Sequence, residues 1–208
     1  MKNLYKIAVL AALFLGLSAP LLAKEGGVKA QAEEALSAAR PSADLTQSLE
    51  AYKLVMLKSD VEGIMSFIHP AFFNLIPKEQ AKAYFTQKFA SENRPVVKAI
   101  DFTEVGPVQG YSKGQFAAIK YQTKTELPRP GDATPEIDET MTRLLKSKMG
   151  PDIQVTIDEK RNVVTVLMNT ILLAINEQNT GWKVIGKQDL EALVQAKLLP
   201  LDLVAQLR

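Results

Sequence analysis

Ser59-Asp60-Val61-Glu62-Gly63-Ile64-Met65-Ser66-Phe67-Ile68-His69-Pro70-Ala71-Phe72-Phe73 is the stretch on which the reading of this chain turns. Ser59 followed three positions later by Glu62 predicts a capping box, hydroxyl and carboxylate each taking an orphan amide at a helix start. Val61, Ile64, Met65 and Ile68 recur at i, i+3, i+4 and i+7, one apolar stripe on a short helix. Pro70 ends that helix, because the residue before a proline is pushed out of the α region. A short amphipathic helix of this kind acts as a lid, and the chain downstream supplies a sheet for it to cover.

Outward from this stretch, the helical pattern extends in both directions. Upstream, Asp44 caps a helix whose Leu45, Leu49, Tyr52 and Met56 share one face, interrupted at Lys58-Ser59-Asp60. Downstream, Leu75-Ile76-Pro77 leads into a third helix through Ala81, Phe85 and Phe89, with Pro77 in its first turn. At Pro95 the period changes to two. Residues 96–105 read as a strand with Ile100 and Phe102 on one face. The glycine-bearing segment from Gly106 to Gly114 reads as a turn. Residues 115–126 form a longer strand, with Ala117, Ile119 and Tyr121 packed and Lys120, Gln122 and Lys124 wet. Thr134-Pro135 opens a fourth, inserted helix striped by Ile137, Met141, Leu144 and Leu145. Gly150-Pro151 stops it, and it is expected to cover a sheet edge. Residues 153–157 and 163–175 are strands, the second apolar on both faces and therefore central. Trp182 to Lys187 is the last strand, and Asp189 to Leu207 a closing helical segment.

The first residues stand apart. Lys2 and Lys6 precede an apolar run from Ile7 to Leu17, and Ser18 to Ala23 leads into polar sequence, the layout of a signal peptide cleaved near Ala23. The run is shorter than the ~20 residues of a bilayer span. This predicts three segments: signal peptide 1–23, flexible leader 24–43, and one domain 44–208, in a protein that is periplasmic or secreted and not membrane-inserted after cleavage. The signal carries two of the 25 Lys+Arg and none of the 23 Asp+Glu, so the mature chain balances at 23 against 23. That balance argues against nucleic acid as a partner. With no cysteine, disulfides and thiol nucleophiles are excluded, and the core alone must hold the fold.

Three helices followed by an antiparallel sheet ending in Trp182-Lys183-Val184-Ile185 is a layout with a family likeness. Lys58 to Met65 through His69-Pro70-Ala71-Phe72, with the Ile171 to Ile175 strand and the Trp182 hairpin, resembles the nuclear transport factor 2 (NTF2)-like superfamily, which includes SnoaL-like and ketosteroid-isomerase-like proteins. The resemblance spans about residues 45–188. It implies an α+β, cone-like fold, a curved antiparallel sheet covered by N-terminal helices, with the inserted helix and a C-terminal helix as additions. In such folds the helices close the wide end and the concave face lines a pocket.

The chemistry-bearing residues are few. His69 is the single histidine, and no zinc spacing surrounds it. It reads as a helix-terminal residue whose ring meets the last carbonyls. No P-loop, dinucleotide fingerprint, EF-hand or nucleophile elbow occurs, so no cofactor or metal is expected. The isomerase-like catalytic positions find no residue-by-residue match here. Asp101, the nearest strand carboxylate, alternates onto the solvent face. Tyr52, Tyr121, Asn169 and Trp182 are the expected ligand-facing residues. Each has a structural alternative: core packing for the tyrosines, a hairpin staple for Trp182, and a bulge or wet-face position for Asn169. The leading expectation is a non-catalytic scaffold binding a small apolar molecule or a protein partner, a second copy included. The rivals are an isomerase- or dehydratase-like enzyme with a pocket carboxylate, and a structural protein docking through its C-terminal helix.

Overall fold

The computed structural model describes residues 43–131, 133–178 and 180–205. The expected signal peptide and, except for Ala43, the expected leader lie outside the described residues. The elements run α1 (Ala43–Lys58), α2 (Val61–Phe67), a 3-10 turn (Pro70–Asn74), α3 (Lys78–Ala90), β1 (Val96–Val105), β2 (Gln109–Tyr111) and β3 (Gly114–Pro128). They continue with α4 (Pro135–Met149), β4 (Gln154–Asp158), β5 (Val163–Glu177), β6 (Lys183–Gly186), α5 (Lys187–Gln195) and α6 (Asp202–Ala205). The fold is α+β, a curled antiparallel sheet in a cone-like arrangement.

Two strands of 15 residues, β3 and β5, are its spine. They pair over their whole length, from Gly114 opposite Glu177 to Pro128 opposite Val163. On the β3 edge sit β1, then β2; on the β5 edge sit β4 and β6. Two register shifts in β1, at Val97/Ala99 and Phe102/Glu104, bend and twist that edge.

Alternation then sorts the side chains. Ala117 and Ile119 of β3, with Leu172 and Ala174 of β5, face Leu45, Leu49, Tyr52, Met56, Phe72 and Phe85 in the main core. The opposite parity, Phe116, Leu173 and Ile175, packs beneath Leu190, Leu193, Leu199 and Leu203 of the C-terminal helices. At the far end of the inner face, Leu145 and Met149 of α4 rest on Val166 and Met168. The inserted helix therefore covers a face of the sheet and not an edge.

Local signals were met with some shifts. The cap of α2 is Asp60, whose carboxylate accepts from the Gly63 amide at 3.1 Å, and not Ser59. Ser59 adopts φ 53° and closes α1 instead. Asp60 N–H bonds to Val55 O at 2.9 Å and Ser59 N–H to Met56 O at 3.1 Å, the paired bonds of a Schellman ending. Pro77 is the residue before α3 and not within it. The expected turn at 106–114 contains the short strand β2. The closing segment is two helices, because Lys197 takes φ 58° and breaks the run after Gln195.

Candidate functional site

The His69-Pro70 corner ties helices to sheet. Ile68 makes a parallel bridge with Val184 on the outer edge of β6. One residue on, His69 turns its ring inward and starts the 3-10 turn: Nδ1 accepts from the Ala71 amide at 3.2 Å. With Nδ1 accepting, the assigned tautomer carries its proton on Nε2, which faces Glu177 Oε2 at 3.7 Å. Glu177 Oε1 accepts from the Tyr111 hydroxyl at 2.6 Å. His69 thus caps the start of the following turn and does not meet the carbonyls of the preceding helix. Burial pushes its pKa down from 6.5, and the Glu177 carboxylate only partly opposes this.

Beside it lies the residue that the sequence pattern did not single out. Asp189 is the third residue of α5, 2% exposed, and neither carboxylate oxygen has a hydrogen-bond partner among the described residues. Gly186, just before α5, lets it fold back: a Cβ there would sit 3.3 Å from Asp189 Oδ2. Burial without a partner disfavours the charged form, and the carboxyl pKa rises from 3.8 to about 7. Ile68, His69, Phe72, Val184, Ile185 and Leu193 line the crevice around it, which has no room for a water molecule.

Two expected ligand-facing residues belong to this neighbourhood. The Tyr52 and Tyr121 phenols are pushed up by burial, and the nearby Asp189 charge adds to both shifts. Tyr52 also packs edge-on against Phe67, centroids 5.6 Å apart. The other two lie elsewhere. Asn169 pairs with Gln122 across β3 and β5 on the outer, wet face, its Oδ1 accepting from Nε2 at 3.1 Å. Trp182 is buried, and its indole N–H donates to Asp44 Oδ2 at 2.8 Å, fastening the last hairpin to the start of α1. Trp182→Phe keeps most of the packing but deletes that charge-assisted bond, and is expected to cost about 1–3 kcal/mol in urea denaturation. Asp101 is solvent-facing as expected, with a 67% exposed side chain.

Among the described residues no group of three or more His, Cys, Asp or Glu is placed to hold a metal ion, and no helix is long and apolar enough to cross a membrane. The arrangement places one carboxyl that changes charge near neutral pH inside a crevice closed to water.

No family model and no curated protein matches the chain. Among solved structures it is similar to a protein from Exiguobacterium sibiricum described as a calcium/calmodulin-dependent kinase II association domain, at 10% identity and TM-score 0.38, over 71% of this chain and 92% of that one. It is also similar to a protein from Streptomyces avermitilis described as a dehydratase of the NTF2-like family, at 15% identity and TM-score 0.34, over 68% and 88% of the two chains.

Proposed function

We propose that the chain is an exported, NTF2-like scaffold that binds a protein partner and performs no chemistry of its own. One observation carries the reading: among the described residues the inner face of the sheet is committed to a continuous apolar core. Tyr52, Phe72 and Phe85 are buried in one core with Ile119, Leu172 and Ala174. A carrier of small apolar ligands needs an enclosed cavity of about 300 Å³ or more. Hollows of about 350 and 380 Å³ lie at Tyr84–Pro95 and beside Leu198–Leu201, and both are open grooves. Apolar surface is offered outward instead, at Leu144, Leu201 and Ile137. Export rests on the Lys2/Lys6 and Ile7–Leu17 pattern.

A second reading is favoured by Asp189 alone. A carboxyl whose pKa is raised to about 7 is the kind of group an isomerase or dehydratase uses for proton transfer. It requires the crevice to open to substrate.

Native mass spectrometry of the chain recovered from the extracytoplasmic fraction of a bacterial host tests both. The expected result is a polypeptide beginning near Lys24, associated with protein and free of small molecules. A stoichiometric small molecule whose release follows Asp189→Asn would overturn the scaffold reading in favour of the second.

A further inference from the structure

We propose that α4 is a docking face for a second copy of this chain, the two α4 helices lying antiparallel about a two-fold axis near Thr140 and Met141. The proposal rests on the scaffold reading and names its partner.

The rotation of α4 is fixed from within. Arg129 Nε and Nη2 grip both oxygens of the buried Asp138, at 2.9 and 2.8 Å, and Leu145 and Met149 rest on the sheet. With that side committed, Ile137 and Leu144 are left outward, 38% and 52% exposed, with half-buried Met141 between them. Residues seven apart fall on one line of a helix, so the three make a single stripe along its middle. Its midpoint lies close to the middle of the 15-residue helix. Antiparallel pairing about that midpoint sets Ile137 on Leu144 of the copy, and the reverse, so one patch covers itself.

Charge follows the same symmetry. Glu136 and Arg143, also seven apart, flank the stripe on one side and are both exposed. Hydrogen bonds from the Thr134 hydroxyl and its own backbone amide hold the Glu136 carboxyl below the usual range, so it is ionised at neutral pH. Arg143 meets the Thr140 hydroxyl at 3.3 Å and no carboxylate among the described residues. In the antiparallel pair Glu136 of each chain stands opposite Arg143 of the other, twice over. Opposed helix dipoles add to the match. One pair of helices covers less than the ~1,200 Å² of stable complexes, so the association is weak and follows concentration.

Sedimentation of the purified chain up to about 1 mM is expected to show a monomer–dimer equilibrium. Glu136→Arg alone and Arg143→Glu alone each set like charges together and are expected to weaken it about tenfold or more. When the two variants are mixed, a pair of arginines on one chain faces a pair of glutamates on the other, and association is expected to return. Both positions are exposed, and circular dichroism confirms folding. Dimers unaffected by either change, or variants that fail to associate on mixing, overturn the proposal. A wild-type monomer throughout overturns it too but leaves the scaffold reading standing, with some other protein as partner. A stoichiometric small molecule bound to an intact α4 dimer would remove the scaffold reading alone.

Discussion

Asp189→Asn is expected to erase a stability loss of about 4 kcal/mol that the natural protein suffers between pH 4 and pH 8. The folded carboxyl titrates at about 7 and the unfolded one at 3.8. Between those values the folded chain keeps a proton that the unfolded chain has released. Stability from this group is therefore complete below pH 3.8, falls as pH rises, and is fully lost above about pH 7. At roughly 1.4 kcal/mol per pH unit the loss comes to the figure above. Asparagine matches the protonated acid in shape and cannot ionise. Its amide adds an unsatisfied buried donor, a cost of about 1–3 kcal/mol that is the same at every pH. The two curves therefore cross. His69 contributes the opposite slope. Its folded pKa is depressed, so stability from the ring is lost as pH falls from 6.5 through the folded value. Urea midpoints from pH 4 to 8, at unchanged m, separate the two, because only the Asp189 component disappears in the variant. Parallel curves for variant and natural chain would mean that Asp189 is not held unpaired in the folded protein.

Gly114→Ala is expected to destabilise by about 3 kcal/mol or more. A Cβ at that position would collide with the backbone carbonyl of Asn176 and stand 2.9 Å from Glu177 Cα. Both obstacles are main chain within a ladder, so no rotamer relieves them. Gly114 pairs with Tyr111 on one side and Glu177 on the other, at the end of the spine that supports the Tyr111–Glu177–His69 contacts. Pushing β5 away from β3 there loosens the corner as well as the strand, and amide exchange at Ala71 should quicken along with that at Glu177. Gly110→Ala is the control, since a Cβ there meets nothing within 4 Å, and its effect is expected to stay within about 0.5 kcal/mol. Equal losses in both variants would show that the close approach at Gly114 is not what the substitution disturbs, since restricting the unfolded chain would stabilise and not destabilise.

Much of this architecture is legible in the sequence because it is written in period. The β1 strand has the bounds its alternation announces, and the stripe on α2 buries Ile64, Met65 and Ile68 as spaced. What escapes is set by long-range partners. Ser59 and Asp60 are both good caps, and the choice between them depends on Ser59 taking a left-handed turn to close α1. Three residues of β2 are too few to show a period and exist as a strand through pairing with β3. Asn169 is legible in principle. It alternates with the buried Met168 and so shares the wet face of Lys120 and Lys124, one register step deciding which way it points. Asp189 reads in the sequence as an ordinary first-turn acid. Its isolation arises because Ile68, Phe72 and Leu193, from three separate segments, close around it.

The bond from Trp182 to Asp44 also constrains how the molecule is made. It joins residues 138 positions apart, and the first helix packs on strands that come late in the chain. Synthesis runs from the amino end, so the early helices emerge long before the surface that completes them. Such high contact order makes folding slow and leaves apolar stripes bare in the interval. A nascent chain halted anywhere before residue 182 would be a client for chaperones, because the partner of Asp44 has not yet been made.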